Sequence, residues 1–430
     1  MPLSKFKDRA RAFADQVHLA KAQKKYPYFR PISRSWGTEV EVAGRRLIMV
    51  GSNDYLGLTH DPQVIEAASR AMVRWGTGAG GSRFLCGNLT LHEELEERLA
   101  AFVGKKKAVV HVTGFSTNLG AIASLLTPHD IIMCDRENHA SIFEGCKAAR
   151  AHIIPFAHND VSSAARKLAA ARQKNPQGLP LLITEGVFSM SGDVSPLADL
   201  VRLKEHHPDL LIYVDDAHGL GVMGPKGRGT AAYFGLTHGV DFIMGTFSKA
   251  LASIGGFIAG DDEDVLEYVR HHSKTLIFSA AQPAGNAATV LACLEIIERE
   301  PERIERLWEN TRRAWDGYQE IGLISGNSLT PIIPVFIGPE EKAFIVAQDL
   351  FEHGIFALPA IFPAVPRQQA VIRTAFMSTH TGSQVDYVLE CLHKLARKHQ
   401  LRAAEQPAPP PSFSGVDAVP SSPTLAAFNK

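Results

Sequence analysis

The segment FIMGTFSKALASIGGFIAG, residues 242–260, is apolar or small except for its hydroxyls and one full charge, Lys249. Thr246 and Ser248 precede the lysine, and the pair Gly255–Gly256 follows it. A lysine in such a run ordinarily lays its stem along apolar surface and keeps its ammonium in water. The alternative is chemical. A desolvated amine loses proton affinity and becomes a nucleophile suited to Schiff-base formation. VDDAHGLG (214–221) ends the preceding β-branched run with Asp215 and His218. An acid at a strand end commonly caps the helix that follows. Beside an imine-forming lysine it has a second use, because a carboxylate keeps a pyridine nitrogen protonated. A protonated pyridine ring is the electron sink of pyridoxal phosphate. His218, three residues on, is then suited to hydrogen-bond the phenolic oxygen of that ring.

Three further pieces suit the same ligand. TGFSTN (113–118) follows a strand-like run and opens an apolar-periodic stretch, where backbone N–H groups at a helix start suit a phosphate. A glycine turn of this kind recurs in many unrelated folds. ENHASI (137–142) sets His139 in a loop after a strand, where an imidazole can lie flat on a ring. A lone histidine is otherwise more often structural. Thr246 and Ser248 flank the lysine within reach of a phosphate.

These residues need a scaffold that brings distant positions together. From about 105 to 260, the short runs AVVHVTG, IIMCD, HIIPF, LPLLITEGVFSM, LLIYVDDAHG and VDFIMGTFSK alternate with helical stretches. That alternation predicts an α/β fold with a mostly parallel sheet covered on both faces. In such sheets the chemistry lies beyond the carboxyl ends of the strands, where Ser189, Asp215, His218 and Lys249 fall. After about 290 a long charged helix precedes IIPVFIG and AVIRTAF, the pattern of a smaller α+β domain. We divide the chain into an N-terminal helix and segment (1–60), a large domain (61–290), a small C-terminal domain (291–400) and a proline-rich disordered tail (401–430). The tail holds six prolines and few residues that could build a core.

Composition narrows the classes. Forty-five basic residues balance forty-five acidic ones in a chain of 430, which gives no footprint for nucleic acid. No apolar run approaches the length of a membrane span, and the N-terminus lacks a signal-peptide core. The five cysteines are scattered and never in CxxC spacing, so they read as reduced thiols of a cytoplasmic protein, with no metal site. Phe6, Ala10, Phe13 and Val17 recur at helical spacing in a basic N-terminal stretch. Packing of this helix on its own protein is the leading expectation. A peripheral contact with anionic lipid, at the inner membrane, is the lesser one.

GSNDYLGLTHDP, GTGAGGSRFLCGNLTLHEELEERLA, EGVFSMSGDVSPL, VDDAHGLGVMGPKGRG and DFIMGTFSKALASIGGFIAG occur in the order and spacing of one family. From about Tyr28 to Ala396 the chain resembles the α-oxoamine synthases, pyridoxal-phosphate enzymes of transferase fold type I. GTFSK and PAIFPAVPRQQAVIRTAFMSTHT resemble most the bacterial branch that condenses L-serine with palmitoyl-CoA. The resemblance implies that Lys249 carries the cofactor and that Asp215 pairs with the ring nitrogen. It implies His218 on the phenolic oxygen and His139 stacked on the ring. Gly114, Phe115, Thr246 and Ser248 form the implied phosphate cradle, and Ser189 is a further implied cofactor contact. Ser279, in IFSAAQP, matches a phosphate contact donated by the neighbouring subunit of a homodimer. Arg373, in VIRTAF, matches the arginine that grips the amino-acid carboxylate, and Asn53 a second substrate contact. Two positions depart from the pattern: Ala281 stands where a second hydroxyl is common, and Gly219 where the palmitoyl branch has serine.

The implied reaction is a decarboxylative condensation of an amino acid with an acyl-CoA. With L-serine and palmitoyl-CoA the product is 3-ketodihydrosphingosine. Rivals inside the family pair glycine with acetyl-CoA or alanine with pimeloyl-CoA, or serve a natural-product pathway. Outside it stand a non-catalytic subunit, which typically lacks the lysine, and an acyl-CoA or lipid-carrier binding protein, which needs no lysine–aspartate–histidine set. Colour separates both from an enzyme that carries the cofactor.

Overall fold

The computed structural model describes residues 2–23, 26–324 and 330–403. A first helix, Pro2–Ala22, precedes three short strands, β1 (Ile32–Ser35), β2 (Glu39–Val42) and β3 (Arg45–Met49). Seven strands follow: β4 (Lys107–His111), β5 (Ile131–Asp135), β6 (His152–Phe156), β7 (Pro180–Glu185), β8 (Leu211–Asp215), β9 (Phe242–Thr246) and β10 (Gly256–Gly260). The C-terminal part adds β11 (Ile332–Gly338), β12 (Ile355–Phe356), β13 (Leu358–Ala360) and β14 (Ala370–Ala375). Each β-branched run singled out in the sequence becomes one of these strands.

The chain forms two compact units. The larger, built on Asn53–Glu309, holds the seven-stranded sheet in the order β4-β10-β9-β8-β7-β5-β6. Pairings among β5 to β9 are parallel, and β10 runs antiparallel to both β4 and β9. Val109, Ile132, Cys134, Leu181, Ile183, Tyr213, Met244 and Ile258 come from these strands into one core with Ala121 and Ile122 of helix Gly114–Leu125. Central strands buried on both faces explain why the sequence shows continuous apolar runs there and no alternation. Parallel β5, β7, β8 and β9 bring the ends of four segments distant in sequence to one edge, and that edge carries the candidate residues.

The smaller unit joins described parts of Met1–Ser52, Asn310–Gly326 and Ile332–Gln406. Its sheets run β1-β2-β3-β12 and β11-β14-β13. The N-terminal segment, read from sequence as a separate piece, shares this unit with the C-terminal part because β3 pairs in parallel with β12, Ile48 opposite Ile355. The larger unit extends past the sequence boundary near 290 to Glu309. Val40, Val42, Leu47, Met49, Phe356 and Met377 form the core that joins the two ends of the chain.

The first helix forms as the periodicity predicts, but its apolar stripe is not packed away. Phe6 is 66% and Phe13 69% exposed, so the stripe is not packed against the rest of this chain. No helix among the described residues is long and apolar enough to cross a membrane.

Most of the tail, residues 404–430, lies outside the described residues. Just before it, Leu401 is buried and the Ala403 N–H donates to Gly322 O at 2.9 Å. A chain ending at Ala403 is expected to melt with the full chain in scanning calorimetry. Ending it at Gln400 removes the Leu401 side chain and costs about 2 kcal/mol. Equal melting of the two truncations would show that Leu401 contributes nothing.

Candidate active site

Helix Gly114–Leu125 begins immediately after β4 because Thr113 caps it. The Thr113 Oγ1 accepts the Ser116 N–H at 3.0 Å, and the Thr113 N–H donates to Ser116 Oγ at 3.0 Å. The turn lies against the end of β9. A Cβ on Gly114 would stand 2.7 Å from Thr246 Oγ1, and one on Gly256 would stand 2.9 Å from Gly114 Cα. The glycines on both sides of Lys249's segment therefore serve the close approach of this chain's own elements. Thr246 Oγ1 and Ser248 Oγ are 3.0 Å apart, and Phe115 meets His139 edge-on with ring centroids 6.4 Å apart. Gly114, Phe115, Thr246 and Ser248 thus form one rim of hydroxyls and helix-start N–H groups.

Lys249 follows β9 and is half-buried. Its charge acts on both His139 and Glu185, and so does the charge of Asp215. Four groups, Lys249, His139, Asp215 and Glu185, therefore share one electrostatic site. His139 caps the helix Ala140–Ala149. Its Nδ1 lies 2.7 Å from Ser141 Oγ and accepts the Ser141 N–H at 3.3 Å, which leaves the proton on Nε2. Burial lowers its pKa, Lys249 lowers it further and Asp215 opposes, so the ring is neutral near pH 7. A neutral imidazole can lie on another ring without a charge to solvate.

Asp215 ends β8 and is 4% exposed. Asn118 Nδ2 donates to its Oδ2 at 2.7 Å, and the Ala217 N–H to its Oδ1 at 3.1 Å. Asn118 is held in turn by Ser141 Oγ and by the Tyr213 hydroxyl, which donates to its Oδ1 at 2.8 Å. Glu185 ends β7 beside Asp215, fully buried, with Oε1 lacking any hydrogen-bond partner. Burial pushes its carboxyl well above the usual range, the Asp215 charge adds to this, and Lys249 opposes it.

His218 is buried, and its Nδ1 is 2.7 Å from the Tyr55 hydroxyl. Tyr55 OH also reaches Asn53 Oδ1, at 3.4 Å. Ser189 stands in the turn of the hairpin 186–195 beyond β7. Ser279 follows Phe278, whose ring is 82% exposed. Arg373 lies in β14 of the smaller unit, opposite Pro334 and Leu358, and not in the unit that carries Lys249. Gly219 has an internal cause: a Cβ there would be 2.0 Å from Asp216 Oδ1 and 2.4 Å from Thr230 Oγ1. Ala281 is buried, its N–H on Gly81 O at 2.8 Å.

Asn118, Tyr55 and Glu185 escaped the sequence reading, although each lies inside a quoted motif. Their roles depend on partners 97, 163 and 30 residues away, which no local pattern announces. The site fits pyridoxal phosphate on its own chemistry. Asn118 and the Ala217 N–H, which donate to the buried Asp215, are neutral groups, so a pyridinium nitrogen would suit this carboxylate as a charged partner. The rim at Gly114 offers N–H groups and hydroxyls to a phosphate.

The model of the class I and II aminotransferases matches residues 45–392. Serine palmitoyltransferase of Bacteroides ovatus is 47% identical over 87% of this chain and 93% of its own length. An 8-amino-7-oxononanoate synthase of Bacillus velezensis is 39% identical over 90% of this chain and 97% of its own. Among solved structures, a lysine-to-alanine variant of serine palmitoyltransferase from S. paucimobilis, with a bound PLP–myriocin aldimine, superposes with a TM-score of 0.87. It is 31% identical, over 93% of this chain and 99% of that one. With this sequence similarity, this fold and a lysine, an aspartate and two histidines at the strand ends, the chain belongs to the α-oxoamine synthases, the pyridoxal-phosphate-dependent acyltransferases of the class I and II aminotransferase family.

Proposed function

We propose that this enzyme condenses L-serine with palmitoyl-CoA, releasing coenzyme A and carbon dioxide and yielding 3-ketodihydrosphingosine. The observation that carries the reading is the buried Asp215, held by Asn118 and the Ala217 N–H, sharing one electrostatic site with Lys249 and His139. The 43–47% identity to bacterial serine palmitoyltransferases supports the choice of substrates.

Pyridoxal phosphate, when bound, supplies an electron sink for negative charge at the Cα of the amino acid. Lys249 would hold the cofactor through its side-chain amine, and that amine, when free, would be the base that takes the α-proton of the substrate and returns one. Asp215, oriented by Asn118, would keep the ring nitrogen protonated. His218, with Tyr55 fixing its ring, would hydrogen-bond the phenolic oxygen. His139 would stack on the ring and exclude water there. Gly114 and Phe115 offer amides, and Thr246 and Ser248 hydroxyls, to the phosphate, with Ser189 a further contact to the cofactor. Arg373 binds the substrate carboxylate through its planar fork, and Asn53 contacts the same substrate. Coenzyme A leaves when the substrate's carbon joins the acyl carbonyl.

A panel of amino acids against acyl-CoAs, followed by coenzyme A release, tests this reading. Serine is expected to outrun glycine and alanine. Each added methylene buried in an acyl channel contributes about 0.8 kcal/mol, so kcat/KM should rise about fourfold per carbon before levelling off. Flat dependence from acetyl to palmitoyl, or faster turnover with glycine, moves the enzyme to another branch. The second reading, a short-chain or pimeloyl synthase, is favoured by the 39% identity to 8-amino-7-oxononanoate synthase.

The assembly we propose is a homodimer in which Ser279 reaches the other copy's phosphate. Gly81 O accepts the Ala281 N–H and Ile254 O accepts Gln282 Nε2, which gathers three surface segments. They expose Leu85 at 81%, Phe84 at 52%, Ile254 at 49% and Phe278 at 82%, an apolar face suited to a second copy. Sedimentation should show a dimer at the concentrations where the enzyme is active. A fully active monomer would sink this assembly. The five free cysteines, four of them buried, support a reducing cytoplasmic setting, and the exposed stripe of the first helix is where contact with an anionic membrane would occur.

A further inference from the structure

His158 has no part in the roles assigned above. It follows β6, and 18% of its side chain is exposed. Its Nδ1–H donates to Asp135 Oδ1 at 3.1 Å and its Nε2–H to Asp193 Oδ2 at 3.4 Å, while Glu137 Oε2 lies 3.7 Å from Nε2. The ring edge meets the ring of Phe188, centroids 4.4 Å apart and planes at 89°. Three carboxylates thus face one imidazole, and Arg136 is the basic neighbour of Glu137. Burial alone would lower the imidazole's pKa. Hydrogen bonds to Asp135 and Asp193, with the charges of Asp135 and Glu137, outweigh it and lift the pKa to about 10. The ring is a cation throughout the neutral range.

These contacts join two loops at the edge that carries the site. Asp135 ends β5 and is fully buried. Its carboxylate also accepts the N–H of Glu137 and of Asn159, each at 2.9 Å, which fixes the turn leading to His139. Asn138 Nδ2 anchors the same turn on Ile183 O at 2.9 Å. Phe188 and Asp193 belong to the hairpin 186–195, closed by the Phe188 N–H on Asp193 O at 2.8 Å and by a bridge between Val187 and Val194. Ser189 stands next to Phe188 in its turn.

We propose that His158 is a positioning residue, a cationic clamp that fastens loop 136–139 to hairpin 186–195 and so sets where His139 and Ser189 stand. The inference rests on the reading above that these two residues border the cofactor. Without the cation, Asp135, Glu137 and Asp193 face one another unneutralised, and like charges at this range push the two loops apart.

His158→Gln removes the charge and keeps a polar side chain. Amide deuterium exchange on the cofactor-free protein should quicken about tenfold in segments 136–142 and 186–195, with the rest of the larger unit unchanged. In the loaded protein, the visible circular dichroism of the cofactor band should fall to less than half, because that band reports how the ring is held. His158→Arg, which keeps a charge and two or more donors, should restore most of the band. If His158→Gln does not fold, Asp193→Asn at the more exposed partner decides, with about twofold faster exchange expected in 186–195. Unchanged exchange and an unchanged band in His158→Gln, or unchanged exchange in Asp193→Asn where only that variant folds, would overturn the clamp. Absence of any visible band in the wild-type protein would instead overturn the cofactor reading, and the exchange measurement would still decide the clamp.

Discussion

Lys249→Ala protein is expected to fold, to bind pyridoxal phosphate only reversibly and to show no turnover above background. The expectation follows from position. Lys249 is half-buried at the end of β9, and its charge reaches both His139 and Glu185. Removing a half-buried lysine from the end of a strand takes no apolar side chain from the core, so the melting temperature of the cofactor-free protein should stay close to wild type. The catalytic loss is of another order. With neither the covalent attachment nor the base, turnover of the amino-acid and acyl-CoA pair that the wild type prefers should fall by at least about four decades, more than 5 kcal/mol of barrier. Recovery of turnover by an added small primary amine would fit this role. Variant activity within tenfold of wild type would remove Lys249 from the chemistry.

Asp215→Asn is expected to keep the cofactor and lose most of the rate. The amide cannot hold a proton on the ring nitrogen, so negative charge at the substrate carbon loses its sink. Removing an electrostatic partner of a transition state costs about 3–4 kcal/mol, or roughly two to three decades in kcat. The local hydrogen bonds add a smaller, separable effect. Asp215 accepts from Asn118 Nδ2 and from the Ala217 N–H, and an amide oxygen can satisfy only one of them while its NH2 faces the other donor. That mismatch costs about 1–3 kcal/mol of stability, visible as a lower melting temperature even without cofactor. Stopped-flow loss of substrate α-deuterium separates the two effects, because proton removal should be the slowed step. A rate loss under about threefold would show that Asp215 is not the ring's partner.

Much of the catalytic edge was legible because its signals are local. β-branched runs separated by helical periodicity announce parallel strands, and Thr113 before Gly114 announces a helix start. Lys249 stood out as a charge where propensity offers no reason for one. What stayed hidden is what depends on distant contacts. β3 reaches its partner β12 across some three hundred residues, so the N-terminal segment's membership of the smaller unit left no mark in either stretch alone. Asn118 reads as an ordinary helix residue until Asp215 and Tyr213 meet it. Gly219 departs from the serine of the palmitoyl branch, and the contacts a Cβ would meet there appear only once Asp216 and Thr230 close on it. The stripe of Phe6 and Phe13 marked a helix correctly, yet periodicity records amphipathicity and not what covers it.

The most direct test is to incubate the purified protein with pyridoxal phosphate, reduce it with borohydride, digest it and locate the reduced cofactor by mass spectrometry. The account predicts one pyridoxyl-phosphate adduct, on the peptide that contains Thr246, Ser248 and Lys249, and placed on Lys249 by fragmentation. An adduct on another lysine, or a colourless protein that takes up no pyridoxal phosphate and yields no adduct, would contradict it.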